Sequence, residues 1–308
     1  MPKIVSLRPN ILIVSSFWPG RDTGGVAEMG LVLAYNLVKQ DNVTVLINDW
    51  EQRTPRETQE YGLNVIFYRL RSPWTVPRPI RNFVGWMVNC LRELRDIQKI
   101  IRDNKINIVQ IRFPVPSFFV FRIIRLLGGP QYCVSFHGSD VHQFHTKDWP
   151  SRVLLKWLVA GASATSAVSR SLAKNAEDLF PCASPVRAIY NGKSVDDIID
   201  KSNQPITWPH QINFESYLVN PANMTWVKGQ DVLIRAWAKL PNDVSHFHLL
   251  IIGEARDAFE QCLQLIKELD CSDRVHLLGS LPQTELFSVM RKAKGCVMSS
   301  RHEGFSGT

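Results

Sequence analysis

Residues 11–30 read ILIVSSFWPGRDTGGVAEMG and place three kinds of local structure in order along the chain. The apolar, β-branched run from Ile11 to Ser15 predicts a buried strand, Pro19-Gly20 predicts a turn, and Gly24-Gly25 opens a helical pattern. A buried strand followed by a helix is the first half of a βαβ unit. The start of the chain therefore predicts an α/β fold.

The same alternation of strands and helices continues through the first two thirds of the chain. The predicted strands there are 11–15, 43–47, 64–68, 108–111, 132–136, 164–168 and 186–189, and the predicted helices are 25–39, 80–104, 116–127, 151–160 and 169–179. Strands that are buried on both faces and separated by helices indicate a parallel sheet.

The alternation is interrupted at residues 200–211, DKSNQPITWPHQ, whose turn-forming residues and two prolines are typical of a connection between domains. It then restarts, with predicted strands at 214–219, 247–252, 275–278 and 296–298 and predicted helices at 230–240, 258–269 and 284–292. We therefore expect an N-terminal domain over residues 1–199, a linker over 200–212 and a C-terminal domain over 213–308. Since the last strand lacks the helix that normally follows it, we expect the second domain to be incomplete.

The composition excludes several classes of protein. Of the 308 residues, 45% are hydrophobic and 21% are charged, which is typical of a globular chain and not of a disordered or fibrous one. No run reaches the roughly 18 apolar residues of a transmembrane helix. The six cysteines show no C-x-x-C spacing, which favours reduced thiols and a cytoplasmic location.

The positive charge is concentrated in one region. The formal net charge is +8, and residues 69–125 alone carry twelve basic and three acidic side chains. Such a surplus predicts a phosphate, a nucleic acid or an anionic membrane surface as partner. The helix predicted from residue 80 combines an apolar face with a basic stripe, which fits either a core helix with a solvated side or a helix resting on lipid headgroups. Nucleic acid ranks lowest, because no reading motif accompanies the basic residues.

Polar motifs follow two predicted strands of the first domain, where ligands of α/β proteins usually bind. Gly24 and Gly25 bring backbone N–H groups to the start of a helix, where they either bind an anion or form a simple turn. His137 follows the strand 132–136 and is suited to a sugar hydroxyl or a phosphate, with Asp140 as an orienting partner, or to a structural role.

A zinc site is a further alternative for this histidine, because His142 and His145 lie close to it in sequence. The three residues lack the helical i, i+4 spacing or the cysteine partner of common zinc sites, which weighs against the metal.

Two further motifs follow strands of the second domain. Lys228 stands at the start of a predicted helix, where it either meets a diphosphate or extends into solvent. Glu303 lies in the terminal stretch SSRHEGFSGT, residues 299–308, whose carboxylate and hydroxyl groups suit a polyol. The structural alternative for this stretch is a helix cap and turn.

Each motif is weak alone, but together they stand in the order of a known family. The chain resembles the retaining, nucleotide-sugar-dependent glycosyltransferases of family four, which have the GT-B fold. The resemblance rests on GGVA (24–27), HGSD (137–140), SAVSRSL (166–172), YNG (190–192), WVKGQDVLIRAW (226–237), LLIIGE (249–254) and SSRHEGFS (299–306).

The resemblance implies two Rossmann-like domains that face a central cleft, where a nucleotide sugar binds as substrate, with no cofactor and no required metal. It implies that Gly25 lies near the donor diphosphate, His137 near the reacting sugar, Lys228 on the phosphates and Glu303 on hydroxyls of the donor sugar. The residues it assigns to catalysis are His137, Lys228 and Glu303. The residues it assigns to donor binding are Gly24, Gly25, Asn223, Lys228, Glu303, Gly304, Phe305 and Ser306.

The chain departs from the family pattern in two places. Asn223 stands where the family often has an arginine, so phosphate binding is expected to depend more on Lys228. The second glutamate of the closing motif would be at position 311, beyond the last residue, Thr308. We therefore expect the 308-residue chain by itself to be poorly active.

The leading hypothesis is a glycosyltransferase that moves a sugar, with retention, to a lipid-linked or polysaccharide acceptor at the inner face of a membrane. One alternative is a nucleotide-sugar epimerase on the same fold. The other is a catalytically incompetent module that binds a nucleotide sugar or a membrane.

Overall fold

The structure is a computed structural model that describes residues 8–21, 25–74, 79–192, 195–203, 216–241, 244 and 246–302. The chain divides into two compact units, of which the first extends to Gly192 and the second contains the described residues from Val195 to His302. Most of the expected linker, residues 204–212, lies outside the described residues.

An eight-stranded sheet forms the first unit. Its strands are β1 (Asn10–Ser15), β2 (Asn42–Asn48), β3 (Arg56–Glu60), β4 (Leu63–Tyr68), β5 (Ile108–Arg112), β6 (Gln131–Phe136), β7 (Ala164–Ala167) and β8 (Arg187–Ala188). They lie in the order β3-β4-β2-β1-β5-β6-β7-β8. Every neighbouring pair is parallel except β3 and β4, which are antiparallel at the edge. The sequence pattern does not predict β3, because its residues RETQE are largely exposed and polar on both faces.

Helices cover both faces of this sheet. They are α1 (Gly25–Leu37), α2 (Pro79–Asp103), α3 (Val120–Leu126), α4 (Ser139–His142), α5 (Trp149–Ala160) and α6 (Arg170–Leu179). Successive side chains of a strand point to opposite faces, so β1 places Leu12 and Val14 in one hydrophobic cluster and Ile11 and Ile13 in another. The parallel, doubly covered sheet expected from the sequence is confirmed.

Only the C-terminal half of α2 packs as a core helix. Its buried residues are Glu93, Ile97, Ile100 and Ile101. The apolar side chains of the N-terminal half, expected to share the same core face, are instead exposed, with 78% of Ile80 accessible. A physical reason is length: a 25-residue helix extends for about 37 Å, whereas a six-residue strand spans about 20 Å.

A four-stranded parallel sheet forms the second unit, in the order β11-β10-β9-β12. Its strands are β9 (Tyr217–Pro221), β10 (His248–Ile252), β11 (Val275–Gly279) and β12 (Gly295–Cys296), and its helices are α7 (Val195–Ser202), α8 (Gln230–Trp237), α9 (Phe259–Glu268) and α10 (Gln283–Lys292). Leu249, Leu250 and Ile251 on the central strand are completely buried.

Helix α7 differs from the sequence expectation, which placed residues up to 199 in the first domain. It belongs to the second unit, where the hydroxyl of Ser288 on α10 donates to the carbonyl oxygen of Ser202 at 3.1 Å. Among the described residues, no helix combines the length and apolar character needed to cross a membrane.

Candidate functional site

Three central strands of the first unit, β1, β5 and β6, end at the same edge of the sheet. They are adjacent and parallel, with Arg112 at the end of β5 opposite Ser135 on β6. Helix α1 begins at Gly25 after β1, and His137 directly follows β6. The parallel register therefore brings Gly25, Arg112 and His137 to the carboxyl edge, although they are far apart in sequence.

The turn that carries His137 is organised by the carboxylate of Asp140, which is almost completely buried. This carboxylate accepts hydrogen bonds from the backbone N–H groups of His137 at 3.0 Å, Gly138 at 2.7 Å and Val141 at 3.2 Å. Asp140 thus holds the backbone of the turn, whereas the sequence suggested that it orients the imidazole ring. Burial raises the pKa of this carboxyl group to about 6, against the opposing effect of its backbone hydrogen bonds.

The described residues leave one ring nitrogen of His137 without a partner. Its Nε2 atom is buried and has no hydrogen-bond partner. Burial and, to a lesser degree, the nearby charge of Arg112 hold the pKa of His137 well below its ordinary value. The ring is therefore neutral at physiological pH, where it can exchange hydrogen bonds with a sugar hydroxyl without carrying a charge.

Arg112 is a functional candidate that the sequence interpretation counted only as part of the basic region. The residue is 3% exposed, and its Nε and Nη2 atoms have no hydrogen-bond partner in the part of the chain that the structure describes. A Cβ atom added to Gly30 would lie 3.8 Å from Nε, so the guanidinium packs against the backbone of α1. The signal that would have found it is an arginine placed directly at the end of the buried strand IVQIR.

In the second unit, Asn223 lies just after the end of β9, and its amide oxygen accepts a hydrogen bond within the protein. This oxygen accepts the backbone N–H of Glu254 at 3.0 Å, which ties the end of β9 to the end of β10. The amide of Gln230 donates to the carbonyl oxygens of Ala222 at 3.3 Å and Asn223 at 3.1 Å. These contacts order the loop that precedes Lys228.

Lys228 lies in a turn at the start of α8, and its side chain is half-buried. The following residue, Gly229, has a φ angle of +65° and lies so close to Ser299 that only glycine fits there. The hydroxyl of Ser299 donates to the carbonyl oxygen of Lys228 at 3.0 Å. The backbone N–H of Arg301 donates to the carbonyl oxygen of Val227 at 2.8 Å. The SSRH segment and the lysine turn therefore form one local structure.

Arg301 strengthens this local structure, and the sequence interpretation did not single it out. Its guanidinium lies 4.5 Å from the ring centroid of Trp226 and makes two hydrogen bonds, of 2.9 and 2.7 Å, to the carboxylate of Asp231. The bond to Arg301 lowers the pKa of Asp231. This pair holds the segment after β12 against the N-terminal end of α8.

The predicted site residues therefore fall into two groups and a remainder. The first unit brings Gly25 and His137 to one sheet edge, and the second unit places Asn223 and Lys228 after the end of β9. Gly24, Glu303, Gly304, Phe305 and Ser306 lie outside the described residues. The roles of all these residues stay predictions.

The structure also bears on the zinc alternative. Within the described ranges, which include His137, His142 and His145, no three His, Cys, Asp or Glu side chains are arranged to hold a metal ion.

Comparison with solved structures identifies the fold. Sucrose-phosphate synthase from Thermosynechococcus elongatus is 17% identical, with a TM-score of 0.68 over 97% of this chain and 77% of that one. HepE from Anabaena, solved with UDP and glucose, is 16% identical, with a TM-score of 0.64 over 97% of this chain and 76% of that one. A trehalose-phosphate synthase (UDP-forming) from Burkholderia vietnamiensis is 11% identical, with a TM-score of 0.71 over 97% and 78%. At these identities the likeness shows the fold, which is GT-B.

Comparison with protein families identifies the chain. No curated protein matches its sequence significantly. The model of Glycosyltransferase Family 4 matches residues 23–197, and the model of Glycosyl transferases group 1 matches residues 207–307. Together these two matches span both units, and their order along the chain is that of the motifs described above. The chain belongs to the group 1 glycosyltransferases, with a family four N-terminal part and a GT-B fold of two Rossmann-like units.

Proposed function

We propose that this chain transfers a sugar from a nucleotide-sugar donor to a lipid-linked or polysaccharide acceptor, with retention at the anomeric carbon and without a metal ion. The observation that carries the proposal is the placement of His137 after β6 and of Lys228 at the start of α8. Both belong to motifs that the family resemblance assigns to the donor. Family membership supports the transferase, and the finer features are the ones to be tested.

The class of donor is supported by what related folds bind. HepE is solved with UDP and glucose, and the Burkholderia trehalose-phosphate synthase is named UDP-forming. The first donor to test is therefore UDP-glucose, followed by other nucleoside diphosphate sugars.

The proposed reaction breaks the bond between the anomeric carbon and the donor diphosphate and forms a bond from that carbon to an acceptor oxygen. The electron pair of the broken bond leaves with the diphosphate, so negative charge develops there. The proton of the acceptor hydroxyl passes to an oxygen of the leaving diphosphate on the same face of the sugar, which gives retention. Cations and N–H groups placed beforehand around this charge stabilise the transition state.

In this proposal two described residues contact the donor, one at the sugar and one at the diphosphate. The neutral imidazole of His137, with its Nε2 free of protein partners, exchanges a hydrogen bond with a hydroxyl of the donor sugar. Lys228 provides a positive charge at the start of α8, whose N-terminal backbone N–H groups favour an anion. Because lysine is a compact charge on a flexible stem, it can follow the diphosphate as it leaves.

The decisive experiment incubates the chain with UDP-glucose and follows the anomeric proton by NMR, with and without EDTA. We expect slow hydrolysis that releases α-glucose, at the same rate in EDTA. Release of β-glucose would contradict retention, and loss of activity in EDTA would contradict metal independence. If the donor is instead converted to an epimer without hydrolysis, the epimerase is the better assignment. Absence of any reaction with the common nucleotide sugars contradicts the transferase.

The acceptor and the location are proposed from the exposed half of α2. Ile80, Val84, Met87, Val88 and Leu91 are between 47% and 78% exposed, and their spacing places them on one side of the helix. The exposed residues Arg95 and Arg102 continue this side of the helix toward its C-terminus. An apolar stripe continued by cations is typical of a helix that lies in the headgroup region of an anionic membrane.

A small basic pocket lies beside this stripe and supports the same partner. Its volume is about 130 Å³, and its lining includes Arg69, Arg71, Arg81 and Trp50. Three guanidinium groups around a pocket of this size suit the phosphate of a lipid headgroup. A membrane-bound first unit would bring the enzyme to a lipid-linked acceptor.

Vesicle co-sedimentation tests this location. The chain should sediment with vesicles of phosphatidylglycerol and phosphatidylcholine, less with phosphatidylcholine alone, and less at high salt. Met87→Glu should abolish sedimentation, whereas the matched variant Val232→Glu, at a residue 51% exposed in the second unit, should leave it unchanged. Equal sedimentation of both variants would exclude α2 as the contact.

A further inference from the structure

Arg112 is a buried cation that no group of the described residues neutralises. The structure gives its Nε and Nη2 atoms no hydrogen-bond partner, and burial lowers its pKa only to about 10, so it is charged at neutral pH. Burying a charge without a counterion or hydrogen bonds is strongly unfavourable. Such an arrangement is therefore expected where a ligand supplies the missing partner.

Two other arginines of the first unit with restricted exposure have the partners that Arg112 lacks. Arg71 pairs with the carboxylate of Glu93, which is itself buried. Arg122 donates to the carbonyl oxygen of Trp157 and lies over its indole ring. Arg69 also has a buried Nε atom without a hydrogen-bond partner, but its guanidinium lies over the ring of Trp50. Among the described arginines of the first unit, Arg112 is the one that is 3% exposed and lacks both kinds of contact.

The position of Arg112 is that of a binding group. It lies at the carboxyl edge of the sheet, packs against α1 near Gly30 and is close enough to His137 to affect its titration. The Nε2 atom of His137 also has no partner. The 13-residue helix α1 begins at the same edge, and the N–H groups of its first turn add positive potential there.

We propose that Arg112 and His137 form an anion subsite at the carboxyl edge of the first unit, and that this subsite takes a phosphate group of a substrate. The unpartnered Nε and Nη2 atoms lie on one edge of the guanidinium plane, and this edge binds two phosphate oxygens side by side. The neutral His137, with its proton on Nε2, donates one further hydrogen bond to a phosphate oxygen or to the neighbouring sugar hydroxyl. The subsite rests on the proposed function only for the identity of the molecule that carries the phosphate.

Two substrates of a sugar transfer offer this chemistry. One is the diphosphate of the nucleotide-sugar donor, and the other is a phosphate on the acceptor. Pyrophosphate, UDP and glucose 6-phosphate are the probes that separate them. Pyrophosphate reports on the subsite itself, UDP on the donor and glucose 6-phosphate on a phosphorylated acceptor.

The experiment compares the unmodified chain with Arg112→Met, Arg112→Lys and the control Arg187→Met, which removes an exposed arginine of β8 in the same unit. Titration calorimetry with each probe, at constant ionic strength, should show pyrophosphate binding that is at least about tenfold weaker in Arg112→Met. Arg112→Lys should retain part of the affinity, since it keeps the charge but not the paired donors. Arg187→Met should bind as the unmodified chain does.

The melting temperature distinguishes a ligand-binding arginine from a structural one, because removing a structural arginine would lower it. In phosphate-free buffer Arg112→Met should melt higher than the unmodified chain, because the unpaired buried charge is removed. Added pyrophosphate should raise the melting temperature of the unmodified chain and not that of Arg112→Met. If Arg112→Met does not fold, Arg112→Lys carries the comparison through its weaker pyrophosphate affinity.

The outcomes separate the subsite from the transferase. Weakened binding of UDP assigns the subsite to the donor, and weakened binding of glucose 6-phosphate assigns it to the acceptor. The subsite is overturned if the unmodified chain binds none of the probes. It is also overturned if both Arg112 variants bind the probes as tightly as the unmodified chain does. UDP-glucose hydrolysis that is unaffected in both Arg112 variants, together with unchanged binding of all three probes, would leave the transferase standing and remove the subsite. Pyrophosphate binding that depends on Arg112, without any hydrolysis of UDP-glucose, would support the subsite and contradict the transferase.

Discussion

A Cβ atom on Gly229 would lie 2.2 Å from the carbonyl oxygen of Ser299, so the turn that carries Lys228 and the segment after β12 are in direct backbone contact. Gly229 also has a φ angle of +65°, which side-chain-bearing residues rarely adopt. The contact joins two motifs that are 70 residues apart in sequence, and it depends on the absence of a side chain.

Gly229→Ala should therefore destabilise the second unit. We expect a loss of about 2–4 kcal/mol in the free energy of unfolding, from the steric clash and the backbone strain together. Chemical denaturation measures the loss. The matched variant is Gly279→Ala, since Gly279 has a φ angle of +70° but no heavy atom within 4 Å of its added Cβ. It should lose only about 1 kcal/mol from strain, and equal losses in the two variants would show that the Ser299 contact is unimportant.

Asp140 should make the stability of the first unit depend on pH in an unusual direction. Its pKa is raised from 3.8 to about 6, so the folded state binds the proton more tightly than the unfolded state. The resulting stabilisation is complete below pH 4 and is lost as the pH rises to about 6, by at most about 3 kcal/mol. Asp140→Asn retains an oxygen for the N–H groups of the turn and removes the titration.

The measurement is the difference in unfolding free energy between the unmodified chain and Asp140→Asn from pH 4 to pH 7. Taking the difference removes the contribution of His137, whose lowered pKa makes stability fall as the pH drops below 6.5. A difference that does not change over this range would contradict the raised pKa.

His137→Ala should reduce UDP-glucose hydrolysis about a hundredfold without unfolding the chain, because it removes a positioned hydrogen-bonding group. Hydrolysis by the unmodified chain should be independent of His137 protonation between pH 6.5 and 8, since its pKa lies well below this range. Rates at several pH values and circular dichroism spectra provide the check. An activity that requires protonation of His137 in this range would contradict a neutral imidazole.

Lys228→Ala should weaken UDP binding about tenfold or more, because it removes a charge from the diphosphate. Lys239→Ala is the control, since Lys239 is an exposed lysine just after α8 in the same unit. Calorimetry with UDP compares the two variants. If both bind UDP as the unmodified chain does, Lys228 has no part in donor binding.

Much of the fold could be predicted from the sequence, because buried parallel strands are continuous apolar runs. Strands β1, β6 and β10 were placed within one residue of their observed ends. Strand β3 was missed because a polar edge strand shows no apolar pattern, and it forms only by pairing with β4. Whether the apolar face of α2 is covered could not be decided from the sequence either, since periodicity shows which residues share a face and not whether anything covers that face.

The site was predicted in part for the same reason. His137 and Lys228 belong to motifs that are contiguous in sequence, so their placement after a strand and before a helix could be expected. Three contacts could not be expected, because each joins residues whose environment is set by other parts of the chain. They are the proximity of Arg112 to His137, the hydrogen bonds from the turn to Asp140 and the ion pair of Arg301 with Asp231.

The sequence by itself determined the alternation of strands and helices, the division into two α/β units and the order of motifs that marks the family, since all of these are local patterns of apolar and polar residues. Only the tertiary structure decided that Arg112 is buried without a partner among the described residues and that Gly229 contacts Ser299. The order of the strands determines which side chains become neighbours and which charged groups are buried away from water. That order is a property of the whole sheet.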